Sequence, residues 1–130
     1  MTTLPYCANA DAKRIWLDRG QSIRKSGGLH WLVLHHEPPA LIEPAEAGEY
    51  EARLLFAEYL PDFWLSGHVH DLPYRLGGKW SHELGTTLVF TPGQIVEAAW
   101  PNHIELDTES GIIEWRSIRK ISDRATSVVL

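Results

Sequence analysis

Apolar positions follow two periods along this chain. From Ala10 to Lys25, Ile15, Trp16 and Ile23 are set among Lys13, Arg14, Asp18, Arg19 and Arg24, a helical spacing that predicts a surface helix despite Gly20 in its middle. Ser26-Gly27-Gly28 supplies its stop, because glycine takes the left-handed conformation at little steric cost. Leu29 to Leu34, with Trp31-Leu32-Val33-Leu34 contiguous, predicts a short strand buried on both faces. It ends at His35-His36-Glu37-Pro38-Pro39, since proline cannot extend a sheet interior and restrains the residue before it. Ala40 to Gly48 reads as loop, and Glu49 to Leu60 as a second helix carrying Leu54, Leu55, Phe56, Ala57 and Leu60. Pro61-Asp62 breaks it, with Asp62 as a cap or turn residue. Phe63-Trp64-Leu65 then opens a second buried strand that runs into Ser66-Gly67-His68-Val69-His70. Strand, helix, strand predicts a right-handed crossover joining parallel strands.

Beyond Asp71 short apolar runs are separated by Gly77-Gly78, Gly85, Pro92-Gly93 and Pro101-Asn102, which are strand and turn signals. His103 to Asp107 and Ile112 to Ile118, joined by Thr108-Glu109-Ser110-Gly111, read as a hairpin with one wet face, and Ser122 to Leu130 as a tail. The expected fold is therefore α/β in one domain spanning residues 1–130, with two helices, two parallel buried strands and a C-terminal antiparallel β segment. All six tryptophans fall within or beside these elements and read as core or edge packing.

Composition narrows the function. Hydrophobic residues make up 44% of the chain, enough to build a core, and the net charge of −5 argues against a nucleic-acid partner. A small phosphorylated substrate held through a metal is compatible with that charge. Cys7 is the single cysteine, so no intrachain disulfide forms; Met1 to Pro5 has no signal-peptide core, and no apolar stretch is long enough to span a membrane. These readings predict a cytoplasmic protein.

The chemistry-bearing residues are two histidine clusters, His35-His36 and His68-x-His70, each following a buried strand. In open α/β sheets ligand crevices form at the carboxyl ends of parallel strands. Neighbouring strands about 4.8 Å apart would let the imidazoles converge on one ion. Imidazole suits Zn, Mn or Fe. His35, His68 and His70 are the predicted metal ligands, with Glu37 or Asp71 as a fourth ligand or base in a mononuclear alternative. His36 is read as a group behind the ligands or facing a substrate, and Gly67 as a residue that lets the backbone turn and approach a ligand. Tyr74, Lys79 and His82 follow His70 closely enough to reach a substrate, with a solvated loop as the alternative; His30 and His103 read as surface histidines.

Leu32 to Pro39 resembles the late "strand, His-His, Pro-Pro" segment of calcineurin-like metallophosphoesterases, and Ser66 to His70 resembles that family's closing Gly-His-x-His motif. Thr91-Pro92-Gly93-Gln94 stands where the family has an Asn-Pro-Gly-Ser segment. The resemblance runs from about Arg14 through the terminal hairpin and covers the carboxyl-terminal half of the family's four-layer α/β sandwich. It implies that His35 and His68 bind one metal of a dinuclear centre and His70 the other. The implied reaction is phosphoester hydrolysis, with both cations neutralising charge on the phosphoryl oxygens.

The family's earlier motifs, Asp-x-His, Gly-Asp-x-x-Asp and Gly-Asn-His-Asp/Glu, do not occur in this sequence. About half of the implied ligands, including the bridging aspartate, are therefore missing. The resemblance then implies a truncated or separately encoded half that needs a complementing N-terminal chain, a homodimer mate or coding sequence upstream of Met1. Loss of the first half would leave an apolar sheet edge and a helix-facing surface in need of a cover, from another chain, a symmetry mate or a rearranged packing of the chain's own strands. A non-catalytic binding or assembly module is the alternative.

Overall fold

The helical spacing at the amino-terminal end becomes α1, Ala10–Gly27, in a computed structural model that describes residues 1–4, 9–27, 30–39, 47–95, 97–98, 100–117 and 120–125. A two-residue strand, β1 (Thr2–Thr3), precedes it, and β2 (Leu32–His35), α2 (Ala47–Tyr59) and β3 (Phe63–Ser66) follow. A single 3-10 turn at Leu72–Tyr74 leads to β4 (Ser81–Leu84) and β5 (Thr87–Phe90). The chain then forms β6 (His103–Asp107), β7 (Ile112–Ser117) and β8 (Lys120–Ala125). Cys7, Gly28, Leu29 and the greater part of the expected 40–48 loop lie outside the described residues.

One sheet has the order β1-β2-β3-β5-β4, in which β1, β2, β3 and β5 are parallel and β4 is antiparallel. The fold is thus mixed α/β, as the sequence predicts, but with more than two parallel strands. The difference arises at β4. That strand runs back along the outer edge and turns through Gly85-Thr86, with Gly85 at φ +63°, so β5 runs parallel to β3 without a second crossover helix. The remaining strands form a separate antiparallel sheet, β6-β7-β8. Its third strand takes in residues 122–125 of the expected tail, because the edge of β7 offers a ladder in which Trp115 pairs with Asp123 and Ile113 with Ala125. Residues 126–130 lie outside the described residues.

Both faces of the parallel sheet are covered by the chain's own elements, so the helix-facing surface is not left open. Val33, Trp64 and Val89 pack beneath Leu17 of α1 and Ala52, Leu55, Phe56 and Tyr59 of α2. On the other face Phe63, Trp80 and Phe90 meet Ile113 and Trp115 of the second sheet. Trp80 stacks on Phe90 and on Trp115 at centroid distances of 5.8 and 6.3 Å. The wet face of the second sheet carries Arg116 between Glu105 and Glu114. Four of the six tryptophans are buried as predicted, whereas Trp16 and Trp100 are 49% and 74% exposed. Among the described residues no helix is long and apolar enough to cross a membrane.

The rotation of α1 differs from the apolar stripe read in the sequence. Ile15, Trp16 and Ile23 face outward, and the buried positions are Lys13, Leu17 and Gly20. Gly20 accounts for this. A Cβ there would come within 2.6 Å of Trp31 Nε1 and closer still to Thr2 Oγ1, so only glycine lets the helix seat against β1 and the start of β2. The Trp31 indole donates to Thr2 Oγ1 at 2.9 Å in this buried contact. Asp62 closes the same end of the sheet by accepting from the Trp31 backbone N–H at 2.6 Å and pairing with Arg24 of α1.

Gly20→Ala is expected to destabilise the protein by about 1–3 kcal/mol through overpacking, although alanine is the better helix former. Urea unfolding measures this, and a neutral or stabilising result would show that α1 does not sit this close. A second expectation concerns Tyr59, whose phenol donates to Asp18 across the two helices at 2.7 Å. Burial, then the hydrogen bond to Asp18, push this phenol from 10.0 up to about 12. The neutral phenol is the bonded form, so its contribution is intact below about pH 10 and is lost as pH rises through about 12. Tyr59→Phe should cost about 1 kcal/mol at neutral pH and flatten the stability profile across that alkaline window. An unchanged profile would contradict the assignment.

Candidate functional site

The site is built at the carboxyl ends of β2 and β3, which pair parallel with Leu32 opposite Phe63, Val33 opposite Trp64, Leu34 opposite Leu65 and His35 opposite Ser66. The ladder continues one step further, because the Gly67 N–H donates to the His36 carbonyl at 2.9 Å. The two histidine clusters are therefore side by side. Above these ends lies an open cleft of ≈ 400 Å³, bordered by Thr3, Leu34, His35, His36, Gly67 and Pro92 among others. Its position agrees with the crevice expected for a parallel sheet.

His35 is the last residue of β2 and is buried, 4% exposed, against the indole of Trp64 with ring centroids 5.6 Å apart. Its Nδ1 lies 3.0 Å from the Glu37 carbonyl oxygen and 3.2 Å from the Glu37 N–H. When Nδ1 donates to that carbonyl, Nε2 carries the lone pair, the arrangement in which a backbone carbonyl orients a metal-binding histidine. The Trp64 indole N–H also reaches the Glu37 carbonyl, at 3.3 Å, so a residue read only as core packing helps hold the turn that carries both histidines.

His36 and His68 come together. His36 Nε2 and His68 Nδ1 are 3.3 Å apart, with the two rings edge to face at a centroid distance of 5.2 Å. His68 has φ +61°, and the Val69 N–H donates across it to the Gly67 carbonyl at 2.7 Å, a three-residue turn of the strained hand. The sharp turn expected at the glycine of this motif thus falls on the histidine. A Cβ on Gly67 would meet only His36 atoms at 3.8 Å, an ordinary contact.

His70 lies further along, exposed, and its backbone carbonyl accepts the Gln94 N–H at 2.7 Å. This bond ties the Gly-His-x-His turn to Thr91-Pro92-Gly93-Gln94 after β5. Gly93 has φ +65°, and a Cβ there would sit 2.7 Å from the His70 carbonyl oxygen and 2.6 Å from Pro73. Glycine in a turn after a strand was the sequence signal available, but the partner it approaches was not.

The other candidates are differently placed. Asp71 is turned to Arg75 at 2.8 Å, and that hydrogen bond holds its carboxyl below the ordinary value. Glu37 is buried. His82 sits on β4 at the edge opposite β1, away from the cleft; burial lowers its pKa, and its Nε2 lies 3.0 Å from the Lys79 carbonyl oxygen. Tyr74 bonds Ser117 and Asn102 and joins the two sheets. By donor type the imidazoles at the cleft fit a borderline divalent cation. Among the described residues, however, no three histidine, cysteine or carboxylate side chains converge, so His35, His68 and His70 are not gathered into one ligand set and a bridged metal pair has no carboxylate between its ions.

Gly93→Ala should destabilise the protein by about 1–3 kcal/mol, from the left-handed φ and the carbonyl contact, while Gly67→Ala should change stability by less than about 1 kcal/mol. Thermal or urea unfolding of the two variants checks the contrast, and the reverse ranking would overturn this geometry. Compared with known proteins, the chain matches no family model, no curated protein and no solved structure.

Proposed function

We propose that this chain carries the carboxyl-terminal half of a metal-dependent phosphoesterase centre and acts on a small phosphorylated substrate once a complementing chain supplies the missing carboxylates. The observation that supports the reading is the parallel pairing of β2 with β3, which sets His35-His36 and His68-x-His70 side by side at the strand ends, where His35, His36 and Gly67 border the cleft. On this reading His35, His68 and His70 are the positions that hold divalent cations, Mn, Fe or Zn. A divalent cation there supplies charge neutralisation for the phosphoryl oxygens and makes bound water more acidic.

The chain's own residues have simpler tasks. Trp64 and the Glu37 carbonyl orient the His35 ring, and the His36–Gly67 backbone bond holds the two clusters at fixed separation. Leu34 and Leu65 border the cleft with apolar surface, which excludes water from part of it. Both sheet faces are occupied, so the complementing partner joins at the β1 edge, where two residues pair with β2 beside the cleft. The reading places the protein in the cytoplasm, a compartment compatible with a single cysteine and no intrachain disulfide.

The test is hydrolysis of an activated phosphodiester with added manganese, by the chain alone and mixed with an N-terminal half that bears the Asp-x-His and Gly-Asp-x-x-Asp motifs. Turnover is expected in the mixture and should be lost with His68→Asn, a residue type that tolerates the left-handed conformation. No turnover in either sample contradicts the reading, and cation binding without turnover would assign the chain as a non-catalytic binding module.

A further inference from the structure

We propose that His36 is itself a metal ligand and forms with His68 a two-imidazole clamp for one divalent cation of the zinc class. The proposal sharpens the metal-binding part of the function above, in which His36 was only a supporting or substrate-facing group. It does not depend on phosphoesterase activity.

The first argument is a distance. Two nitrogens bound to one tetrahedral ion at about 2.0–2.1 Å are separated by about 3.3–3.4 Å, the chord of a tetrahedral angle. His36 Nε2 and His68 Nδ1 stand 3.3 Å apart. That separation lies just past the usual range of about 2.7–3.2 Å for an N–H···O hydrogen bond, so as a hydrogen bond it is a long one. The pair already stands at the spacing of two ligands on one ion.

The second argument is backbone geometry. His68 holds φ +61°, a conformation that costs a non-glycine residue about 1–3 kcal/mol and persists where its surroundings over-determine it. Here they do so from both sides, through Gly67 N–H to the His36 carbonyl and Val69 N–H to the Gly67 carbonyl. The strained residue is thus tied by backbone to the strand end that carries the facing imidazole. Relaxing His68 into an ordinary conformation would break this turn.

The third argument is access. His36 is exposed and borders the cleft, and His68 is partly exposed, so an ion can enter without opening the core. His35, by contrast, is buried against Trp64. With two protein ligands, the remaining positions on the ion are open to water, to a phosphoryl oxygen or to donors from a partner chain. An open coordination sphere is what a substrate-binding site requires.

The experiment titrates the full chain with Co²⁺ and Zn²⁺, reading heat and the visible cobalt spectrum, and repeats this for His36→Ala, His36→Cys and His70→Ala. Wild-type protein is expected to bind one cation per chain. His36→Ala should weaken binding by at least about tenfold, or about 1.4 kcal/mol, and His70→Ala by less than about threefold. Loss of affinity alone would not separate a ligand from a supporting group, since supporting groups also change affinity by about 10–100-fold. His36→Cys makes that distinction. A direct ligand position gives the Co²⁺ form a thiolate-to-cobalt charge-transfer band that wild-type protein lacks, and a supporting position does not. Absence of that band in a cobalt-binding His36→Cys protein, wild-type affinity in His36→Ala, or no cation binding by the wild type each overturns the proposal. Cation binding at this pair with no hydrolysis in any mixture leaves the clamp standing and removes the phosphoesterase reading.

Discussion

Four parallel pairings between β2 and β3 govern where the two histidine clusters lie. A strand's side chains alternate between faces, so a slip of one residue would exchange Val33 and His35 with Leu34 and invert the site. The register is held by burial on both faces. Val33 and Trp64 are fully enclosed beneath the helices, and Phe63 packs against the rings of the second sheet. Removing a core aromatic of this kind costs about 3–5 kcal/mol, several times the worth of any hydrogen bond at the cleft. The core thus specifies the site.

From that register the site is completed by backbone bonds more than by side chains. Glu37 and Gly67 use main-chain groups to hold His35 and His36, and Gln94 uses its N–H to hold the carbonyl of His70. Glycine is needed at close approaches such as Gly20 against Trp31 and Gly93 against the His70 carbonyl. Neither contact involves a functional side chain, yet both fix elements that carry one. Trp64 belongs to both systems, with its ring in the helix-side core and its indole N–H on the Glu37 carbonyl.

Much of this architecture was legible in the sequence for definite reasons. The apolar runs at Leu32–Leu34 and Phe63–Leu65 are too short for helices and end at proline or glycine, so β2 and β3 and the convergence of the clusters they carry follow from pattern. The hairpin of β6 and β7 was equally clear, because its apolar residues alternate with charges. What escaped depends on partners distant in sequence. The rotation of α1 is set by Gly20 against Trp31, a contact invisible to the helical spacing of Ile15, Trp16 and Ile23, which face outward. The parallel placement of β5 needs the outer edge strand β4, and β8 needs the ladder of β7, since neither direction nor a pairing partner is written in a strand's own residues. At the site the clusters were legible but the pairing within them was not. His35 and His68 share a motif logic, whereas the imidazoles brought within 3.3 Å are those of His36 and His68.

The central proposal is that His36 and His68, one from each histidine cluster, hold one cation. The most direct measurement is nitrogen-15 NMR of the imidazole side chains during addition of Zn²⁺. Coordination should move His36 Nε2 and His68 Nδ1 together with a single stoichiometry, while His82, on the far edge strand β4, keeps its position. Shifts confined to His82, or separate responses of His36 and His68, would contradict it.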